Sequence, residues 1–433
     1  MYKGKYATVN IPNIKGIVVA GTGYVYYSNI SGYDSEKKHS TDNRVIIGKV
    51  VEGYPDMMTP NDKFFDIFSV PSSEQGKNVM MSEIHIENLR GIKTSDVQNM
   101  KPIVLVSGKN NVGKTSFLEA LFLLMSRGNA SVFQSLNVFR NRLFFNATNT
   151  EVWEPLFYMR DPNNKMSITS LFEGKNLSLT LQKDESHIPN ATAGLPNGAL
   201  EQLRLFPMKS YSLKGFFAFD DKTNNFQISS IPNGILTEND KRHVEDNNNV
   251  LMARFVSDSI IRGDASITDL FGKAELEDKK QFIIDILKMI DPSITDVTNI
   301  AFAGNSSLYI RNDKGLLPIQ FAGDGINKLI YLALSIMQTK NGIVLIDEFE
   351  SGFHYTMLSN FWRMIATLSE EYNCQIVATT HSIENIGAAI SGLRGKESDF
   401  CYYRLGRNEE TIEAHRFSYD ILKSALKSEL EVR

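Results

Sequence analysis

Ile103-Val104-Leu105-Val106-Ser107-Gly108-Lys109-Asn110-Asn111-Val112-Gly113-Lys114-Thr115-Ser116 is the stretch that decides the fold of this chain. A short run rich in β-branched residues leads into G-x-x-x-x-G-K-T. The helical apolar pattern Phe117 to Leu124 follows. Strand, glycine loop and helix in that order are the setting a P-loop requires. Gly108 and Gly113 let the backbone curl, so that the N–H groups from Asn110, Asn111 and Val112 to Lys114, Thr115 and Ser116 can face a phosphate. The helix N-terminus adds its positive dipole end. Lys114 then reaches the β- and γ-phosphates, and Thr115 offers its hydroxyl to Mg²⁺. The expected ligands are therefore ATP and Mg²⁺.

Outward from the P-loop, the final third of the chain carries the matching chemistry. Gly342-Ile343-Val344-Leu345-Ile346-Asp347-Glu348 reads as a buried parallel strand closed by two carboxylates, the Walker B pattern. Asp347 is the second expected metal ligand, beside Thr115. Glu348 stands one residue nearer the γ-phosphate, where a carboxylate polarises the attacking water. A helix over Tyr355 to Tyr372 leads to a second apolar strand, Gln375 to Thr380, and to His381-Ser382. A neutral imidazole at that strand end can meet the γ-phosphate or the water. The expected catalytic residues are thus Glu348, His381 and Lys114. Phe321-Ala322-Gly323-Asp324-Gly325 precedes an apolar helix over Lys328 to Met337 and offers a second anion cradle at a helix start near Ile326. His354 lies where a loop passes into a helix, and capping, packing or contact with a partner subunit all fit it.

The alternation of strands and helices predicts an α/β P-loop fold with its chemistry at the strand C-terminal ends. Glu83 to Leu89 alternates as an edge strand, and Met166–Phe172 with Leu177–Leu181 reads as a hairpin. Residues 186–260 are polar and Asn-rich and are read as mainly helical; about 186–295 is treated as an insertion. Glu275 to Ile290 has the spacing of one amphipathic helix, and Ile300–Ile310 and Leu316–Phe321 are strand candidates. Residues 1–78 differ in character: Gly23–Tyr27 and Arg44–Val51 form a candidate hairpin, followed by the polar linker Pro71 to Asn78. The expected division is a β-rich extension over 1–78 and an ATPase domain over 79–433.

Taken together, Ile86 to Ile92, the P-loop, Gly323 to Lys328, Ile346 to His354 and Ala378 to Ser382 resemble the ABC-like ATPases of the OLD and AAA-15/AAA-21 type. Those are relatives of the SMC and RecF group. The resemblance spans about 82–433. It implies an ABC-type head with a mixed sheet and a short insertion instead of long coiled-coil arms. It implies that Gly323, Asp324, Gly325 and Lys328 belong to a signature loop that closes on ATP held by an opposing subunit, hence a homodimer or higher assembly. Relatives often carry arginine where this chain has Lys328, and lysine lacks the bidentate fork. For the glutamine that senses Mg²⁺, Gln134 and Gln182 are both candidates. The family's setting implies anti-phage defence or DNA maintenance. OLD nucleases add a C-terminal Toprim domain, and the chain runs only about 50 residues past His381. The resemblance therefore implies a separate nuclease or toxin effector. Residues 1–78 resemble the N-terminal segment of some insertion-sequence transposases, with Met80 or Met81 as an ancestral start.

Composition agrees with these readings. The chain has 433 residues, 42% hydrophobic and 22% charged, long enough for two or three units with ample core. A formal net charge of −4 argues against a wholly basic nucleic-acid binder, though a local groove for DNA is compatible with it. Only Cys374 and Cys401 are present, so a disulfide framework is not expected and a reducing cytoplasm fits. No stretch reaches the ~20 apolar residues of a membrane span. The rival reading is a nucleotide-switched scaffold in which turnover is incidental; a RecF-like repair role would need a basic stripe.

Overall fold

The structure is a computed structural model. It describes residues 6–11, 14–19, 24–28, 44–51, 54–55, 81–129, 132–133, 135–136, 153–184, 212–231, 234–239, 252–258, 267–302, 305–428 and 430–433. These fall into two compact units, Met1–Asn61 and Asp62–Arg433.

In the first unit β1 (Tyr6–Ile11), β2 (Ile14–Val19), β3 (Tyr24–Ser28), β4 (Arg44–Val51) and β5 (Tyr54–Pro55) pair in chain order as an antiparallel sheet. The expected hairpin is β3 with β4, and its register slips by a residue between Val25 and Tyr26, a β-bulge. The further strands answer the marginal stability of a lone hairpin. The linker Pro71 to Asn78 and Met80 lie outside the described residues.

The second unit is built on one thirteen-stranded sheet. Its strands are β6 (Met81–Leu89), β7 (Ile92–Gln98), β8 (Ile103–Gly108), β9 (Met166–Phe172), β10 (Lys175–Asp184), β11 (Ser212–Phe219), β12 (Lys222–Ile231), β13 (Gly234–Asn239), β14 (Ala253–Val256), β18 (Ile343–Ile346), β19 (Gln375–Thr379), β20 (Phe400–Asn408) and β21 (Thr411–Phe417). β15 (Asp296–Phe302), β16 (Asn305–Asn312) and β17 (Gly315–Pro318) form a separate antiparallel sheet. The helices are α1 (Lys114–Met125), α2 (Ile267–Leu276), α3 (Lys280–Leu287), α4 (Asp324–Met337), α5 (Leu358–Glu371), α6 (Ile383–Gly392) and α7 (Tyr419–Lys427).

The large sheet has two halves of different chemistry. From β20 through β8, β19 and β18 to β14 every pairing is parallel. There β8, β14, β18 and β19 are buried at each residue, as strands covered on both faces must be. The other half, β13-β12-β11-β10-β9-β6-β7, pairs antiparallel, and β9 alternates buried with partly exposed residues. Its β9–β10 hairpin is the expected one. The strand order β8-β19-β18 matters most, because it sets the P-loop strand and the Asp347 strand on either side of the strand that ends in His381.

Several expectations are corrected. The span 186–295 is not mainly helical where it is described: it carries β11, β12, β13 and β14 besides α2 and α3. Glu275–Ile290 is not one helix; α2 ends at Leu276, Asp278 takes a left-handed φ of 57°, and α3 begins at Lys280. The break leaves Leu276 in solvent and lets Phe271, Ile283 and Leu287 all reach the core. Ile300–Ile310 is not one strand, since the chain reverses with Phe302 opposite Asn305. Leu316–Phe321 is strand only to Pro318 and then a 3₁₀ turn.

The core beside the site is aromatic. Trp362 of α5 is fully buried, 4.6 Å from Phe349 by ring centroids, and its Nε1 donates to Asn385 Oδ1 at 2.8 Å. Trp362→Ala is expected to lower stability by about 3–5 kcal/mol, read as a lower urea midpoint at unchanged slope. Cys374 and Cys401 are buried free thiols; burial raises the Cys374 pKa and pushes that of Cys401 up to about 11.

Candidate functional site

β8 delivers the P-loop out of the parallel half of the sheet. A Cβ on Gly108 (φ 144°) would stand 2.6 Å from the Leu405 carbonyl oxygen, so the loop turns there only with glycine. Asn111 has φ 62° and Gly113 φ 111°, and α1 starts at Lys114, with the Phe117 N–H donating to the Gly113 carbonyl at 2.8 Å. Asn110 and Asn111 are exposed, while Val112 and Ser116 are buried and seat the loop. The Lys114 ammonium donates to the Gly108 and Lys109 carbonyls at 2.7 and 3.2 Å, folded back over its own loop. Burial holds its pKa below the ordinary lysine value, opposed by Asp347, Glu348 and Glu350.

The carboxylate strand meets it across β19. Thr115 Oγ1 donates to Asp347 Oδ2 at 2.9 Å, and Thr379 Oγ1 donates to Asp347 Oδ1 at 2.6 Å. The Glu348 N–H donates to the same Thr379 oxygen at 3.0 Å. Glu348 itself has φ 50°, a conformation side-chain-bearing residues rarely hold, and its side chain is exposed. Asp347 thus links the two hydroxyls, Thr115 on one carboxylate oxygen and Thr379 on the other, and Thr379 also receives the Glu348 N–H.

Glu350, not singled out in the sequence, organises the histidine. Its Oε1 accepts the backbone N–H groups of His381 and Ser382 at 2.9 and 3.2 Å and lies 3.2 Å from His381 Nδ1. Oε2 accepts from Asn385 Nδ2 at 3.2 Å. Nδ1 thus faces Glu350, and Nε2 is the ring nitrogen turned from that carboxylate. Ser382 caps α6 through Asn385 N. The available signal was the third acid in Asp347-Glu348-Phe349-Glu350, two residues after Glu348. Thr379 was likewise missed; a hydroxyl closing an apolar strand beside a Walker B strand would have marked it.

The Gly323–Lys328 loop starts α4 at Asp324, two residues earlier than Ile326. A Cβ on Gly325 would come within 2.8 Å of the Gly352 carbonyl oxygen, so this loop lies directly against the loop after β18. Asp324 and Lys328 line a cavity of about 190 Å³ with Asp258, Gln320, Asn327, Ser351 and Gly352. Lys328 does not face outward: it is 2% exposed and bonded within its own chain. The exposed His354 pairs with Thr356 Oγ1 at 2.8 Å and stacks on Tyr355. Gln182 lies in β10 opposite Lys214, and Gln134 lies outside the described residues.

Family comparison agrees with this arrangement. The family described as "AAA ATPase domain" matches residues 80–250. The family described as "AAA domain, putative AbiEii toxin, Type IV TA system" matches residues 201–386. Between them the two models cover residues 80–386, and over that span the chain is similar to AAA ATPase domains. Over 344 residues, 75% of this chain and 90% of the relative, it is 22% identical to an ATP/GTP phosphatase of Helicobacter pylori. A shorter match, 47% identical over 47 residues, covers 11% of the chain and 22% of an uncharacterized protein of Methanocaldococcus jannaschii. Among solved structures, an Smc head domain bound to the C-terminal domain of ScpA, from Pyrococcus furiosus, covers 80% of this chain and 98% of its own chain at 10% identity and a TM-score of 0.45. The SMC head domain from Thermotoga maritima covers 78% and 98% at 10% identity and a TM-score of 0.35.

The residues of this site fit both expected ligands. The cradle at Gly108 has no room for a side chain, and the Lys114 ammonium rests on carbonyls that a phosphate can replace. Thr115 and Asp347 offer hard oxygen donors from two elements within hydrogen-bond distance of each other, the set Mg²⁺ takes. No described helix is long and apolar enough to cross a membrane.

Proposed function

We propose that this ATPase hydrolyses ATP to ADP and phosphate, with the P-loop and the Walker B carboxylates forming one Mg²⁺-dependent centre. The observation that carries the reading is the Thr115–Asp347–Thr379–Glu348 hydrogen-bond chain, which ties the P-loop helix to the Asp347 carboxylate and, through Thr379, to the Glu348 backbone. Backbone N–H groups from Asn110 to Ser116 bind the phosphates, and Lys114 leaves the Gly108 carbonyl for the γ-phosphate. Thr115 and Asp347 would hold Mg²⁺, which would supply charge neutralisation at the phosphate oxygens. Glu348 takes a proton from water as its oxygen attacks the γ-phosphorus, and the bond to the bridging oxygen of ADP breaks. His381, oriented by Glu350, presents Nε2 to the γ-phosphate or the water.

The reading extends to assembly and setting. The ATPase works as a homodimer or higher oligomer in which the Gly323–Asp324–Gly325 loop of one copy closes on ATP held by the other. It acts in the cytoplasm beside a separate nuclease or toxin effector, in anti-phage defence. One matched family carries a toxin–antitoxin description, which agrees with an effector-linked role. Purified protein is expected to release phosphate from ATP with Mg²⁺ and to stop when the metal is chelated. No turnover alone, with DNA or with phage extract would instead favour a nucleotide-switched scaffold.

A further inference from the structure

Lys328 stands in the first turns of α4 with its charge turned inward. Its ammonium donates to the Glu348 backbone carbonyl at 2.8 Å and to Asp258 Oδ1 at 3.0 Å. The other Asp258 oxygen accepts from the Ser351 hydroxyl, and the Phe353 ring centroid lies 5.8 Å from the ammonium. A lysine that is 2% exposed is rare, and these bonds are what makes the burial tolerable. Its position matters because of what it grips. The Glu348 peptide unit has a φ of 50°, a left-handed conformation that costs free energy in any residue with a Cβ. Thr379 holds the N–H of that residue and Lys328 holds its C=O. With both ends of the residue fixed, the side-chain direction follows. The approach of Gly325 to the Gly352 carbonyl packs the same turn of α4 against the same loop.

We propose that Lys328 is a positioning residue for hydrolysis: through the Glu348 carbonyl it maintains the left-handed turn that aims the Glu348 carboxylate at the attacking water. This rests on the reading of Glu348 as general base. It replaces, for this one side chain, the expected contact with nucleotide on an opposing subunit. Asp258 and Ser351 are the fixed points from which the ammonium is held.

The test is a set of full-length variants: Lys328→Met, Lys328→Arg, Glu348→Gln and the Lys328→Met/Glu348→Gln double. Misplacing a catalytic group by about 1 Å costs roughly 10²-fold. Lys328→Met is therefore expected to lose about that much kcat while the ATP Kd, from equilibrium binding, stays within about twofold. Lys328→Arg, which can still donate to the carbonyl, is expected to recover most of the rate. In the Glu348→Gln background Lys328→Met is expected to remove nothing further, because a residue that acts through Glu348 has nothing left to act on. Three results would overturn the proposal: wild-type kcat in Lys328→Met, loss of ATP affinity in step with rate, or the same fold-loss in both backgrounds. Where Lys328→Met does not fold, Asp258→Asn decides, with reduced kcat at unchanged Kd expected and an unchanged rate overturning it. The wild-type and Glu348→Gln rates keep the two readings apart. If wild type turns over and Glu348→Gln does not, only the role of Lys328 is at stake. If both rates are equal, the general-base reading fails and this proposal falls with it.

Discussion

Glu348→Gln is expected to leave ATP bound and to slow its hydrolysis sharply. Glutamine matches glutamate in shape, so the left-handed turn at 348 and its bonds to Thr379 and Lys328, all made by the backbone, persist. What disappears is the proton acceptor. A positioned general base contributes about 10²–10⁴-fold, and phosphate release is expected to fall within that range. The ATP Kd is expected to change little, since the exposed Glu348 side chain forms no part of the P-loop cradle. If ATP is sandwiched between copies, the variant should also accumulate a larger species on gel filtration with ATP that wild type shows only transiently. Undiminished phosphate release would remove Glu348 from its role.

Lys114→Ala has the opposite signature: affinity goes first. The ammonium folds over the P-loop, bonded to the Gly108 and Lys109 carbonyls. Burial already pulls its pKa down, which leaves the charge poorly solvated and ready to gain from a phosphate partner. Losing one such preorganised donor costs about 10²–10³-fold in turnover. Here the loss also appears as weaker ATP binding, because the phosphate is contacted in the ground state too. The fold should stay intact, as Lys114 is only half-buried at the first position of α1. Retained ATP affinity by equilibrium binding would contradict the assignment.

The parts of this site that rest on local pattern were legible in the sequence. β8 and β18 are continuous apolar runs because parallel strands are covered on both faces, and each ends in residues of unmistakable chemistry. The P-loop helix announces itself through its glycine and its apolar period. The strands β11 to β13 did not read as strands, because Asn224, Asn225 and their neighbours carry the polarity of turns, while the pairing that makes them strand comes from β11, itself paired to β10. The α2–α3 break was hidden by apolar spacing that runs straight across it. Glu350 was passed over, and Lys328 was expected to reach a second subunit, for a shared reason. A helix or loop pattern tells where a charged residue sits along the chain but not whether its head turns to solvent or to a backbone carbonyl. Lys328 read as an outward cation and is an inward one.

The two cysteines have a practical consequence. Cys374 and Cys401 are buried in strand-end and strand positions, and burial raises both pKa values, so neither offers thiolate to a reagent at neutral pH. The folded chain is therefore expected to react only slowly with maleimides at either native cysteine. A single thiol introduced by Tyr355→Cys, where the native side chain is 64% exposed, becomes the one labelled position. Fluorescent or spin probes can then follow the loop beyond the Walker B strand through the nucleotide cycle without a cysteine-free background being engineered first.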